Sequence, residues 1–103
     1  MSDRYIKAAQ QRVLQTILAL AGNEFRGLTN AEVALAVGTS HGNALADVRN
    51  LEHAGLAERV PTDPTRWRLG PKLPQIALAL LHARDRAQAR VDEITQRYTR
   101  EPT

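Results

Sequence analysis

The sequence contains no cysteine. A disulfide framework, a thiolate nucleophile and a Cys-ligated zinc are therefore excluded, and a reducing, cytoplasmic setting is expected. Aromatic residues make up only 4% of the chain against 43% for all apolar residues, so the core must be built mainly from Ala, Val, Ile and Leu. Such a composition favours helices. Long hydrophobic runs are also missing: the longest, IALALL at 76–81, falls far short of the ~20 residues that span a bilayer. The opening MSDRYIKAAQQ lacks the apolar stretch of a secretory signal, and no membrane partner is expected. There is no Gly-rich phosphate loop, no H-E-x-x-H and no Ser/His/Asp arrangement, and His41, His53 and His82 are too scattered to ligate a metal. The expectation is a protein that is not an enzyme, with no cofactor, no metal and no small-molecule ligand.

What is present in excess is arginine. Twelve of the 14 basic residues are Arg, and the net charge is +3. Arginine suits forked contacts to phosphate and guanine, although a modest positive balance alone is weak evidence for nucleic acid. A chain of 103 residues can bury one core and carry one protruding element.

The order of elements is legible from periodicity and punctuation. Between Tyr5 and Ala21, Ile6, Ala9, Val13, Ile17, Leu18 and Leu20 recur at helical spacing, and Gly22-Asn23 ends the run. Thr29-Asn30-Ala31-Glu32 reads as a capping box opening a short helix from Asn30 to Val37, with Val33, Ala34 and Val37 buried and Leu35 partly covered. Gly38 stops it, and Thr39-Ser40 caps the next helix, His41 to Ala54, whose core stripe is Ala44, Val48 and Leu51. Two helices joined by so tight a turn form a helix-turn-helix. After Gly55, LAERV (56–60) and RWRLG (66–70) alternate like strands around a PTDPT turn (61–65), which predicts a β-hairpin. From Pro74 to Tyr98 the residues Ile76, Leu80, Ala83, Ala87, Val91, Ile94 and Tyr98 form one continuous helical stripe. The predicted fold is mainly α with a small β-hairpin: a winged helix-turn-helix domain over 1–73, then a C-terminal helix and frayed tail over 74–103.

The segment from Val13 to Leu73 resembles the DNA-binding domain of IclR-type regulators, in RVLQTILALA, GLTNAEVALAVGTS, LEHAGLAERV and the wing close TRWRLGPKL. The piece SHGNALADVRNLEHAGL is also similar to the recognition helix of MarR-like regulators of the GbsR kind. Both resemblances imply a reader of double-stranded DNA. IclR-type proteins usually place an arginine mid-helix where this chain has Ala46, and residues 74–103 hold no counterpart of their effector domain.

With Ala44, Val48 and Leu51 turned inward, Asn43, Ala46, Asp47 and Asn50 are expected on the opposite, groove-facing side. Asn43 could bond adenine, Asp47 could accept from cytosine, and Ala46 could touch a thymine methyl. Ser40 and His41 could reach backbone or bases, and Gly42 keeps bulk away from phosphate. Asp47, a carboxylate near phosphates, could instead pair with Arg49 or cap a neighbouring helix. Arg49 counts among the candidate DNA contacts, as do Arg59, Arg66 and Arg68 of the hairpin. Arg66 and Arg68 share one face and could follow a strand of phosphates. Trp67 then points to the core. Thr29 and Asn30, at a helix N-terminus, could hold a phosphate, although capping alone accounts for Thr29. The plain alternative is that these polar groups form the solvated side of a surface helix and hairpin.

The last helix needs a partner. The simplest is its copy in a second chain, with Leu80, Ala83, Ala87, Val91, Ile94 and Tyr98 as the dimerisation stripe; folding back on Ile6 and Val13 is the other option. The expected function is a sequence-specific DNA-binding transcriptional regulator, a repressor acting as a homodimer, of a kind a phage or mobile element could encode. The alternative is a winged-helix protein-interaction module or anti-activator that does not bind DNA.

Overall fold

The computed structural model describes residues 3–102. Four helices and three short strands follow one another as α1 (Ala8–Leu20), β1 (Leu28–Thr29), α2 (Asn30–Val37), α3 (His41–His53), β2 (Ala57–Val60), β3 (Asp63–Leu69) and α4 (Lys72–Thr99). The strands form one antiparallel sheet in the order β1-β3-β2. A helix, a short strand, a helix-turn-helix and a two-stranded wing make a winged helix-turn-helix, and a long C-terminal helix follows. Two compact units divide the chain, the first ending at Lys72 and the second beginning at Leu73.

Local chemistry explains the first unit. At the start of α2 the Thr29 hydroxyl accepts from the Glu32 amide at 3.1 Å while the Glu32 carboxylate accepts from the Thr29 amide at 3.0 Å, closing the expected capping box. Gly38 ends α2 in the left-handed region at φ 80°, and Ser40 caps α3 by accepting from the Asn43 amide. In α1 the ordered helix begins at Ala8 rather than Tyr5, because Lys7 is extended. Its inward stripe is Val13, Thr16, Ile17 and Leu20, whereas Ile6 and Leu18, expected inside, are exposed. Thr16 can be fully buried because its hydroxyl donates to the Arg12 carbonyl. Leu35 is also exposed, leaving Val33 and Ala34 as the buried face of α2.

The sheet differs from the sequence-based expectation in two places. Strand β1 was not anticipated, since two residues carry no periodicity; Leu28 pairs with Trp67 and Thr29 with Arg66. The wing turn is tighter than PTDPT, because a bulge between Arg59 and Val60 shifts the register so that Val60 faces Asp63. The core joins Leu20, Val33, Ala34, Ala44, Val48, Leu51, Ala57 and Trp67. Trp67 thus points inward, as its place in the alternation requires.

The second unit is most of α4. No residue of this 28-residue helix is buried, and Ile76, Leu80, Val91, Ile94 and Tyr98 are each more than half exposed. Pro74 lies in its first turn, where the missing amide has no partner to lose. No helix among the described residues is long and apolar enough to cross a membrane.

Candidate nucleic-acid interface

The rotation of α3 decides which side chains it can offer. Ala44, Val48 and Leu51 are buried, and so is Asp47, only 3% exposed. This overturns the expectation that Asp47 faces a groove: at about 100° per residue, three residues from Ala44 turn the helix to within about 60° of the core side. The Asp47 carboxylate is gripped by Arg12 of α1, with Nε donating to Oδ2 at 2.6 Å and Nη2 donating to Oδ1 at 3.1 Å. Neither Arg49 nor a helix cap is its partner. The carboxylate also raises the Arg12 pKa above its ordinary value, chiefly through the side-chain hydrogen bond, so Arg12 stays charged.

The outward side of α3 comprises His41, Gly42, Asn43, Leu45, Ala46, Arg49, Asn50 and His53, all exposed. Helical rotation centres this surface on Gly42, Ala46, Arg49 and His53, with Asn43 and Asn50 on one flank and Leu45 on the other. Leu45 and His53, absent from the polar face expected from the sequence, also belong to this side. The buried Asp47 moves the true centre toward them. Small residues at Gly42 and Ala46 leave the N-terminal half of this side without bulk, while its amides are in part differently committed. Asn43 Nδ2 donates to Thr39 Oγ1 at 3.0 Å, and Asn50 Nδ2 donates to the Ala46 carbonyl at 2.8 Å.

Residues at the helix-turn-helix junction hold one another. Asn30 Nδ2 donates to the His41 carbonyl, tying the start of α2 to the start of α3, while Asn30 Oδ1 is buried without a partner among the described residues. Thr29 Oγ1 and Ser40 Oγ are both occupied as caps. Capping therefore accounts for both hydroxyls.

The three wing arginines lie beside groups of their own chain. Arg66 Nη1 donates to the Gly27 carbonyl at 3.2 Å and to Glu32 Oε1 at 3.0 Å, and its Nε lies 3.3 Å from Asp63 Oδ2. Arg68 Nε donates to Glu58 Oε1 at 2.9 Å, across the paired positions of β2 and β3. Arg59 stacks its guanidinium 4.6 Å from the centre of the Trp67 ring and donates to the Pro64 carbonyl. On α3, Arg49 Nε sits 3.2 Å from Glu52 Oε1. Arg66, a phosphate candidate in the sequence, clamps β3 to the start of α2. Glu32, bonded by the Thr29 amide and facing Arg66 and Arg26, is held below the ordinary carboxylate range, and Asp63 is lowered by its bonds from Thr65.

No family profile matches the chain. No curated protein matches it either. Among solved structures it is similar to a single-residue mutant of Lactococcus lactis ZitR, at 17% identity and a TM-score of 0.47, covering 96% of this chain and 66% of that one. The chain thus spans a little under two thirds of that protein's length.

Proposed function

We propose that the protein is a sequence-specific regulator that binds double-stranded DNA through α3 and the wing, acting as a homodimer and repressing by occupying its site. The observation that carries this reading is the outward side of α3. It is uncovered, small at Gly42 and Ala46, flanked by Asn43 and Asn50, and set on a helix capped and clamped at both neighbours. Such a helix can approach a major groove closely, with Arg49 available to guanine or phosphate and the asparagines to adenine. Thr29, Asn30, Ser40 and His41 lie near the helix-turn-helix junction, where backbone contacts would fix register. Arg59 and Arg68 would follow the flanking strand.

The dimer reading rests on α4. Its apolar positions repeat every eleven residues, with Ile76, Ala87 and Tyr98 equivalent and Leu80, Ala83, Val91 and Ile94 between them. Eleven residues in three turns lie close to the natural helix pitch, so two such stripes can meet along their length with little supercoiling. A pair of chains carries two α3 helices, which suits a two-fold related site.

One observation favours the second reading, a protein-interaction module without DNA affinity: the wing arginines are engaged by their own chain. Gel shifts of genomic duplexes at two salt concentrations separate the two. The regulator gives shifted DNA that weakens with salt and is impaired in Arg49→Ala/Arg68→Ala. The module gives no shift at either concentration.

A further inference from the structure

We propose that Glu58 and Glu52 are resident competitors for the phosphate-binding arginines, so that the strength and salt dependence of DNA binding are set by carboxylates of the protein itself. This rests on the DNA-binding reading above. The two exchangeable arginines of the candidate interface are Arg68 on the wing and Arg49 on α3, and each meets one carboxylate, with Nε as the near atom. Arg66 is different: it holds a carbonyl and two carboxylates, so a phosphate would have to replace three partners rather than one. The Arg49–Glu52 pair is exposed and the Arg68–Glu58 pair half-buried, with side-chain exposures of 60% and 37%, and 28% and 40%. Solvent-accessible pairs of this kind are weak, and a phosphate offers the same charge-assisted bond. DNA can therefore displace Glu58 or Glu52, and the freed carboxylate must then be neutralised by a cation from solution.

That last step has a measurable consequence. An arginine that contacts phosphate normally steepens the logarithmic dependence of affinity on salt by about 0.9, through release of a condensed counterion. When the arginine leaves a carboxylate behind, cation uptake by that carboxylate cancels much of the release. Arg68 and Arg49 then contribute little to the salt slope while their acids are present. Removing an acid restores the contribution.

The test uses the full chain and a labelled mixed-sequence duplex of about three helical turns, titrated over a series of salt concentrations. Glu58→Gln is expected to bind about 2–5-fold tighter at low salt, the range of a solvent-accessible pair, with a slope steeper by about 0.9. Glu52→Gln should do the same from a different element, which protects the test if one variant folds poorly. Arg68→Ala should barely change the wild-type slope yet abolish the gain in the Glu58→Gln background. Glu101→Gln, which removes a charge from the tail, controls for net charge and should leave the slope unchanged. Equal slopes and affinities for Glu58→Gln, Glu52→Gln and Glu101→Gln, with the wild type binding, overturn the proposal alone. Failure of every variant to bind the duplex overturns the DNA-binding reading and the proposal with it.

Discussion

Arg12 and Asp47 meet as a fork, two nitrogens of one guanidinium on two oxygens of one carboxylate, joining α1 to α3 across 35 positions of sequence. The pair fixes the rotation of α3: with Asp47 drawn inward, Gly42, Ala46 and Arg49 turn out. Removing Arg12 leaves the buried Asp47 carboxylate, 4% exposed, without its partner. Arg12→Ala is expected to lower the thermal midpoint by about 5–10 °C. Replacing both members, as Arg12→Leu/Asp47→Leu, should recover much of that loss, because an apolar pair needs no compensation. Thermal unfolding followed by circular dichroism checks this; equal losses in the single and double variants would count against the clamp.

Gly27 sits where three pieces of the domain converge. Its φ is +73°, and a Cβ there would lie 2.6 Å from Val60 Cγ2 and 2.8 Å from the Trp67 carbonyl oxygen. Both the backbone conformation and the space require glycine. Gly27→Ala should therefore destabilise the first unit by about 2–4 kcal/mol, combining strain with overpacking, whereas Gly42→Ala, with only Ser40 Oγ at 4.0 Å, should be close to neutral. Denaturant titration of the two variants distinguishes them.

Glu32, which ties the wing to α2, and Asp63 within β3 set an acid limit. Glu32 and Asp63 have folded pKa values below their ordinary 4.5 and 3.8, so the unfolded chain takes up their protons first as pH falls. Their stabilisation is complete above the ordinary values and is lost as pH drops through the folded ones. Thermal midpoints should hold level from neutrality to about pH 5 and then decline toward about pH 3. Glu32→Gln keeps the cap geometry but removes the charge opposite Arg66, so its acid decline should be shallower. An unchanged decline in that variant would show that these pairs do not link the wing to α2.

The stripe on α4 makes a prediction about assembly. If a second copy covers it, Val91→Asp/Ile94→Asp should convert a dimer into a folded monomer by sedimentation equilibrium, with helical content of the first unit retained. The same variant should bind a duplex carrying two half-sites no better than one carrying a single half-site. A wild-type chain that is monomeric at high concentration would refute the dimer.

The helix-turn-helix was legible because its signals are local: Thr29 and Glu32 are three apart, Gly38 needs only its own φ, and Ser40 caps the helix it opens. The wing was legible as alternation, but not its bulge or the pairing of β1, which depend on cross-strand register. The site was read less completely. Helical rotation already puts Asp47 near the core stripe, but its partner Arg12 lies on another helix, and the engagement of Arg66 by Glu32 spans 34 positions. Spacing within a segment gives the core face; which polar side chains at its edge are tied to other elements depends on ion pairs that only the folded chain assembles. Thr16 illustrates the same limit, as a polar residue that the core accepts only because the Arg12 carbonyl takes its proton donor.

The most direct test is selection of bound duplexes from a random pool by the full chain, repeated with Ala46→Glu, which places bulk and negative charge at the centre of the outward side of α3. A reader of DNA through that side enriches a defined half-site, and the variant loses the enrichment while keeping its fold. Recovery of the input pool by the wild type, or the same motif from both proteins, would contradict the assignment of α3 as the reading helix.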